Sequence, residues 1–152
     1  MNTMSKKWSL RYLEMAKLVS SWSKDPRKQV GAVITDGRYV RGVGFNGFPR
    51  GVEDDPERLD TPELKLKLII HAEVNALIAA EGKGDTIYIY PCLPCTHCLG
   101  QIIQYGVKSV VSLEPRAEGT KWDTDLVMII AKEAGVRVRL LDGSILFSAD
   151  HS

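Results

Sequence analysis

Between Trp8 and Ser23, apolar residues fall at Leu10, Leu13, Met15, Ala16, Leu18, Val19 and Trp22. That three-and-four spacing predicts an amphipathic helix. Ser23-Lys24-Asp25-Pro26 ends it, because proline disfavours a helical residue before it. Val30 to Thr35 and Tyr39 to Phe45 read as two strands, with Asp36-Gly37 between them as a hairpin signal. Asn46 to Asp60, rich in Gly, Pro and charge, reads as a loop. Leu64 to Glu81 reads as a helix, with Gly82 and Gly84 as stop signals. Thr86 to Tyr90 is strand-like by its β-branched and aromatic content. A helix follows Cys95 and runs to Tyr105, where Gly106 ends it. Ser109 to Leu113 and Val136 to Leu141 read as strands, with a helix from Asp123 to Ala134 between them. The last ten residues read as peripheral.

The predicted order is α-β-β-α-β-α-β-α-β. An opening hairpin followed by alternating strands and helices implies a mixed sheet, since short crossover helices join parallel neighbours. The expected fold class is α/β, with a five-stranded mixed sheet covered by helices on both faces. At 152 residues the chain is expected to form one domain.

Composition narrows the chemistry. A formal net charge of +1 argues against a general binder of polymeric nucleic acid, which carries a basic stripe. A single arginine still suffices for a single phosphate, so a nucleotide ligand stays open. No stretch approaches the roughly 20 apolar residues that span a bilayer. The polar start, Met1 to Lys7, is unlike a signal peptide. The expectation is a cytoplasmic protein with no membrane partner.

The three cysteines, Cys92, Cys95 and Cys98, lie within seven residues. A disulfide framework would spread them along the chain, whereas a tight cluster in a reduced compartment points to a metal. Two motifs carry the chemistry: His71-Ala72-Glu73 and Pro94-Cys95-Thr96-His97-Cys98. Each is expected at the start of a helix. Cysteines at i and i+3 there share a face, and the helix dipole favours their thiolates. With His71 they make three ligands, one short of the four that close a structural zinc site. The fourth position is then open to water. Glu73, two residues beyond His71, is badly spaced to bind the same ion and well spaced to move a proton beside it. His-x-Glu with Pro-Cys-x-x-Cys is the signature of zinc deaminases acting on nucleobases.

Alternatives remain at this level. Pro91-Cys92-Leu93-Pro94-Cys95 fits the cysteine motif too. The pair Cys95 and Cys98 is preferred, because the helix-like run Leu99 to Tyr105 follows it and the other register would place Pro94 inside that helix. Cys92 is then a buried small apolar residue, and His97 lies on the helix surface. Cys95 and Cys98 also fit a structural zinc knuckle or a redox pair. Asn46 fits a turn residue alone, since Asn-Gly favours left-handed backbone, and Arg50 fits a solvated side chain. Trp122 reads as an interface or core-edge residue, and His151 as part of a frayed tail.

The residues also resemble a known family. Ser23-Lys24-Asp25-Pro26-Arg27 with Gln29-Val30-Gly31-Ala32-Val33, Gly44-Phe45-Asn46-Gly47-Phe48-Pro49-Arg50-Gly51, His71-Ala72-Glu73-Val74-Asn75-Ala76, and Pro94-Cys95-x-x-Cys98 followed by Ile102-Ile103-Gln104 and Gly106 stand in family order. Together they resemble the deoxycytidylate (dCMP) deaminases of the cytidine-deaminase superfamily. The zinc motifs point to the superfamily, and the glycine-rich block around Asn46 points to the nucleotide-acting branch. The resemblance implies a three-layer α/β/α fold and hydrolysis of dCMP to dUMP with release of ammonia. It further implies Zn2+ as cofactor and a homo-oligomer, dimer or hexamer, with dCTP and dTTP as effectors. For the site it implies His71, Cys95 and Cys98 on the metal and Glu73 as proton carrier. Ala72 would hold substrate through its backbone, Asn46 would contact sugar or base, and Lys24, Arg27 and Arg50 would take phosphate. Other substrates remain open, among them dCTP, a free nucleoside, guanine or an adenine, as does a non-catalytic zinc or nucleotide sensor.

Overall fold

The structure, a computed structural model, describes residues 5–115, 121–141 and 145–147. His151 and the side chain of Trp122 lie outside the described residues. The elements in chain order are α1 (Lys6–Ser20), β1 (Gly31–Asp36), β2 (Tyr39–Phe45), α2 (Pro56–Asp60), α3 (Pro62–Leu68), α4 (Ala72–Ala80), β3 (Thr86–Cys92), α5 (Thr96–Tyr105), β4 (Ser109–Glu114), α6 (Lys121–Ala134), β5 (Arg137–Leu140) and β6 (Ile145–Phe147).

The five expected strands form one mixed sheet in the order β2-β1-β3-β4-β5, and the short β6 extends it past β5. The hairpin β1–β2 and the pair β1–β3 are antiparallel, while β3–β4 and β4–β5 are parallel. Asp36 pairs with Tyr39, so the hairpin turn is Gly37-Arg38, and Gly37 takes the positive φ of 60°. Period-two alternation sends side chains to opposite faces. Ala32, Ile34, Ile87, Ile89, Val110 and Val138 face a core with α4, α5 and α6, while Val33, Tyr88 and Val111 face Tyr12, Leu13 and Ala16 of α1. These are the three layers of an α/β/α sandwich.

The structure departs from the pattern read along the chain in several places. Helix α1 forms as expected, but its buried side is Ser9, Tyr12, Leu13, Ala16, Val19 and Ser20. Leu10, Met15, Leu18 and Trp22 are exposed. Small serines fit where the helix lies closest to the sheet. Gly31 marks that approach: a Cβ there would stand 2.0 Å from the Ala16 carbonyl oxygen. The second difference bears on function. The single helix expected over Leu64–Glu81 is two, α3 and α4, separated at Ile69-Ile70-His71. Ile70 is drawn into a bridge with Gly47: the Ile70 amide donates to the Gly47 carbonyl at 2.7 Å, and the Gly47 amide returns to Ile70 at 3.1 Å. Neither glycine nor proline marks this break, so periodicity ran straight through it. The expected loop 46–60 also contains α2, started by Asp55 capping the Glu57 amide.

Candidate metal centre and active site

His71 is the N-cap of α4, with extended backbone (φ −69°, ψ 151°). Ala72 and Glu73 follow on the first helical turn. What places this turn is the glycine spacing of β2. A Cβ on Gly44 would stand 2.4 Å from the Ala76 amide nitrogen and 2.6 Å from the Ala72 carbonyl oxygen. A Cβ on Gly42 would stand 2.7 Å from the Ala76 carbonyl oxygen and from the Ala80 amide nitrogen. Ala72, Ala76 and Ala80, all buried, therefore lie directly on strand backbone. Small residues on both sides allow this approach, and it holds the start of α4 at the end of the sheet.

Cys95 is the N-cap of α5. Its Sγ accepts from the Cys98 amide at 3.4 Å, so the thiol group does the capping that serine or aspartate usually does. Cys98 is buried and faces the same way. His71 Nδ1 lies 3.0 Å from Cys98 Sγ and 3.9 Å from Cys95 Sγ. All three donor atoms fall within 4.8 Å of one another. Two sulfurs and one imidazole nitrogen so gathered suit zinc, a borderline-soft ion. The electrostatics agree. The Cys95 thiol is pulled down to about 3, chiefly by its hydrogen bond with Cys98 and then by His71, against the opposing effect of burial. The hydrogen bond to Cys95 also raises the His71 pKa above its ordinary value, with Glu73 adding to the effect. A ready thiolate is what a metal ligand requires. Among the described residues the group has three members and excludes Cys92 and His97. His97 is exposed and Cys92 is buried, as the preferred cysteine register requires.

Beside the three donors lies a cavity of about 250 Å3. His71, Ala72, Glu73, Cys92 and Leu93 line one part of it, and Asp25, Lys28, Val30, Asn46, Lys65, Leu66 and Ile69 line the rest. Glu73 is 5% exposed and so belongs to the cavity rather than to the surface.

Asn46 lines the cavity with its amide already engaged. Its Oδ1 accepts from the Val30 amide at 2.9 Å. Its Nδ2 donates to the Lys28 carbonyl at 2.8 Å and to Asp25 Oδ2 at 3.4 Å. An asparagine amide offers two donors and two acceptor lone pairs. Both donors are spent, and one lone pair remains. The expected phosphate residues lie elsewhere. Lys24 pairs with Asp54 at 2.9 Å, Arg27 pairs with Asp60 at 2.8 Å, and both are surface pairs. Arg50 is exposed in a turn. None of the three lines the cavity. Asp25, Lys28 and Lys65, which do, carry no site role in the sequence reading, and Cys92, read there as a buried small apolar residue, also lines the cavity. The nearest signal was Asp25, inside the Ser23–Arg27 block. Lys65 carried none, because a helix break at residues 69–71 is what brings its turn to the cavity.

Comparison with known proteins agrees with this geometry. The family model for the cytidine and deoxycytidylate deaminase zinc-binding region matches residues 6–114. A protein of Aliivibrio fischeri described as an uncharacterized deaminase is 39% identical over 148 residues, covering 94% of this chain and 99% of its own. The mouse deoxycytidylate deaminase is 34% identical over 145 residues, covering 87% and 78%. Among solved structures, the dCMP deaminase of cyanophage S-TIM5 in complex with dCMP and dUMP superposes with a TM-score of 0.68 at 25% identity, covering 91% of this chain and 100% of that one. With the metal donors, a buried carboxylate and this likeness all on residues of the matched region, the chain belongs to the cytidine and deoxycytidylate deaminase family.

Proposed function

We propose that the protein hydrolyses the exocyclic amine of a cytosine nucleotide, dCMP first among them, giving dUMP and ammonia. The observation that carries this reading is the buried Glu73 opening, together with His71, onto a cavity beside the three gathered metal donors. His71, Cys95 and Cys98 would hold Zn2+. When bound, zinc supplies Lewis acidity that lowers the pKa of water to about 7. The protein's own residues do the rest. Glu73 takes the proton of the attacking water and delivers it to ring N3 as C4 is attacked. It then takes the proton of the new C4 hydroxyl and passes it to the amine, so that the C4–N bond breaks, ammonia leaves and a C4 carbonyl remains. Cavity walls of Val30, Leu93 and Ile69 exclude water from the ring. The last lone pair of Asn46 Oδ1 suits a sugar hydroxyl, which can donate to it. The backbone at Ala72 is available to the base. A homo-oligomer, dimer or hexamer, and regulation by dCTP and dTTP belong to the same reading and rest on family likeness.

The test is ammonia release from dCMP, dCTP, CMP, deoxycytidine, cytosine, guanine and adenosine, each with and without dCTP or dTTP. The expected result is highest kcat/KM on dCMP. Activity on an unphosphorylated compound with none on dCMP overturns the reading.

A further inference from the structure

We propose that Lys65 is the specificity-determining residue through which this site demands a phosphorylated substrate. This rests on the nucleotide reading above and assigns its phosphate recognition to a residue of α3. Lys65 lines the same cavity as His71 and Glu73. Its Nζ stands 3.2 Å from Asp25 Oδ2 and 3.4 Å from Asp25 Oδ1.

Two features separate it from the surface cations. The Lys65 side chain is only 18% exposed, whereas Lys24 and Arg27 are 69% and 59% exposed. Those two also spend their charge on Asp54 and Asp60, outside the cavity. The second feature is the state of its partner. The Asp25 side chain is 3% exposed and already accepts from the Arg27 amide at 2.9 Å, the Lys28 amide at 3.2 Å and Asn46 Nδ2 at 3.4 Å. Asp25 is thus provided with donors without Lys65. An ammonium has three N–H groups, and those not turned to Asp25 remain for an anion. A partly desolvated cation on the wall of a ligand cavity attracts a phosphate more strongly than a solvated one does. Asp25 acts here as a positioning residue. It holds the Lys65 ammonium at the cavity and, through Asn46, ties that point to the loop beside the sugar.

The experiment measures kcat/KM of the zinc-loaded enzyme on dCMP and on deoxycytidine, for the wild type, Lys65→Met and Lys65→Arg. Loss of a charge-assisted hydrogen bond predicts that the preference for dCMP over deoxycytidine falls about 10- to 100-fold in Lys65→Met, mostly through KM. Lys65→Arg restores most of it. A merely structural role would depress both substrates alike and leave the ratio unmoved, which overturns the proposal. So does an unchanged ratio with full activity. If Lys65→Met does not fold, Lys65→Gln keeps a donor for Asp25 and removes only the charge, and the same ratio decides. A wild type that deaminates neither compound refutes the nucleotide reading itself, and this inference with it. A wild type selective for dCMP whose selectivity survives in Lys65→Gln refutes this inference alone.

Discussion

Glu73 sits one residue inside α4, buried to 5% exposure and opening on the cavity. On the proposed mechanism it carries every proton the reaction moves. Glu73→Gln keeps the size and loses the basicity. We expect its kcat to fall by about 10²- to 10⁴-fold, the usual worth of a positioned acid-base group, with zinc content by atomic absorption unchanged. Full activity in that variant would remove Glu73 from the mechanism. The metal residues were legible from residue type and spacing, because i, i+3 cysteines at a helix start can only point one way. Asn46 was half legible. Asn46 does not take the left-handed backbone that a turn role would use; its amide instead binds Val30, Lys28 and Asp25, which leaves one lone pair on Oδ1. The cation next to Asn46 was not legible. Lys65 looks in sequence like any lysine on a helix surface, and only the fold shows it beside Asp25.

At the scale of elements, local signals marked the five expected strands, since each run ends in glycine, proline or a capping residue, but not the short β6 in the segment read as peripheral. They failed where tertiary contacts decide. The apolar run through Leu68-Ile69-Ile70 continues a helical pattern, and yet strand-like pairing of Ile70 with Gly47 wins. The buried face of α1 was misjudged for a related reason: a helix pressed onto a glycine of β1 selects small side chains over large ones. The packing of α4 on β2 follows the same rule and carries a prediction. In Gly44→Val, side-chain atoms would have to occupy space now 2.4 Å from helix backbone. Backbone cannot yield as a side-chain tip can, so we expect a loss of about 3 kcal/mol, at the upper end of ordinary overpacking. Denaturant unfolding measures it. Zinc content should drop with it, because the start of α4 is displaced.

Across the whole molecule, the metal donors come from two helix starts, His71 on α4 and Cys95 with Cys98 on α5. A bound ion therefore joins elements that the chain separates by a full strand. A ligand bound to the native state at about 1,000 times its Kd adds about 4 kcal/mol. In a chain of this size that corresponds to roughly 10 °C in Tm. Chelation should lower the melting temperature by about that amount, measured by differential scanning calorimetry, and abolish ammonia release. Re-added zinc should restore both. No helix among the described residues is long and apolar enough to cross a membrane. The net charge is only +1, and among the described residues Lys28 and Lys65 are the cations that line the cavity. Overall charge gives no sign of that placement.

The reciprocal pair of hydrogen bonds between Gly47 and Ile70 joins two points, each one residue from a working group: Asn46 on one side and His71 on the other. The two amides are therefore a built-in gauge of how firmly the Asn46 side and the metal side of the site are held in register. Deuterium uptake at Gly47 and Ile70 should slow together when either zinc or a nucleotide is added, and most when both are present. If one ligand slowed a single amide and left the other unchanged, the two halves of the site would be moving independently.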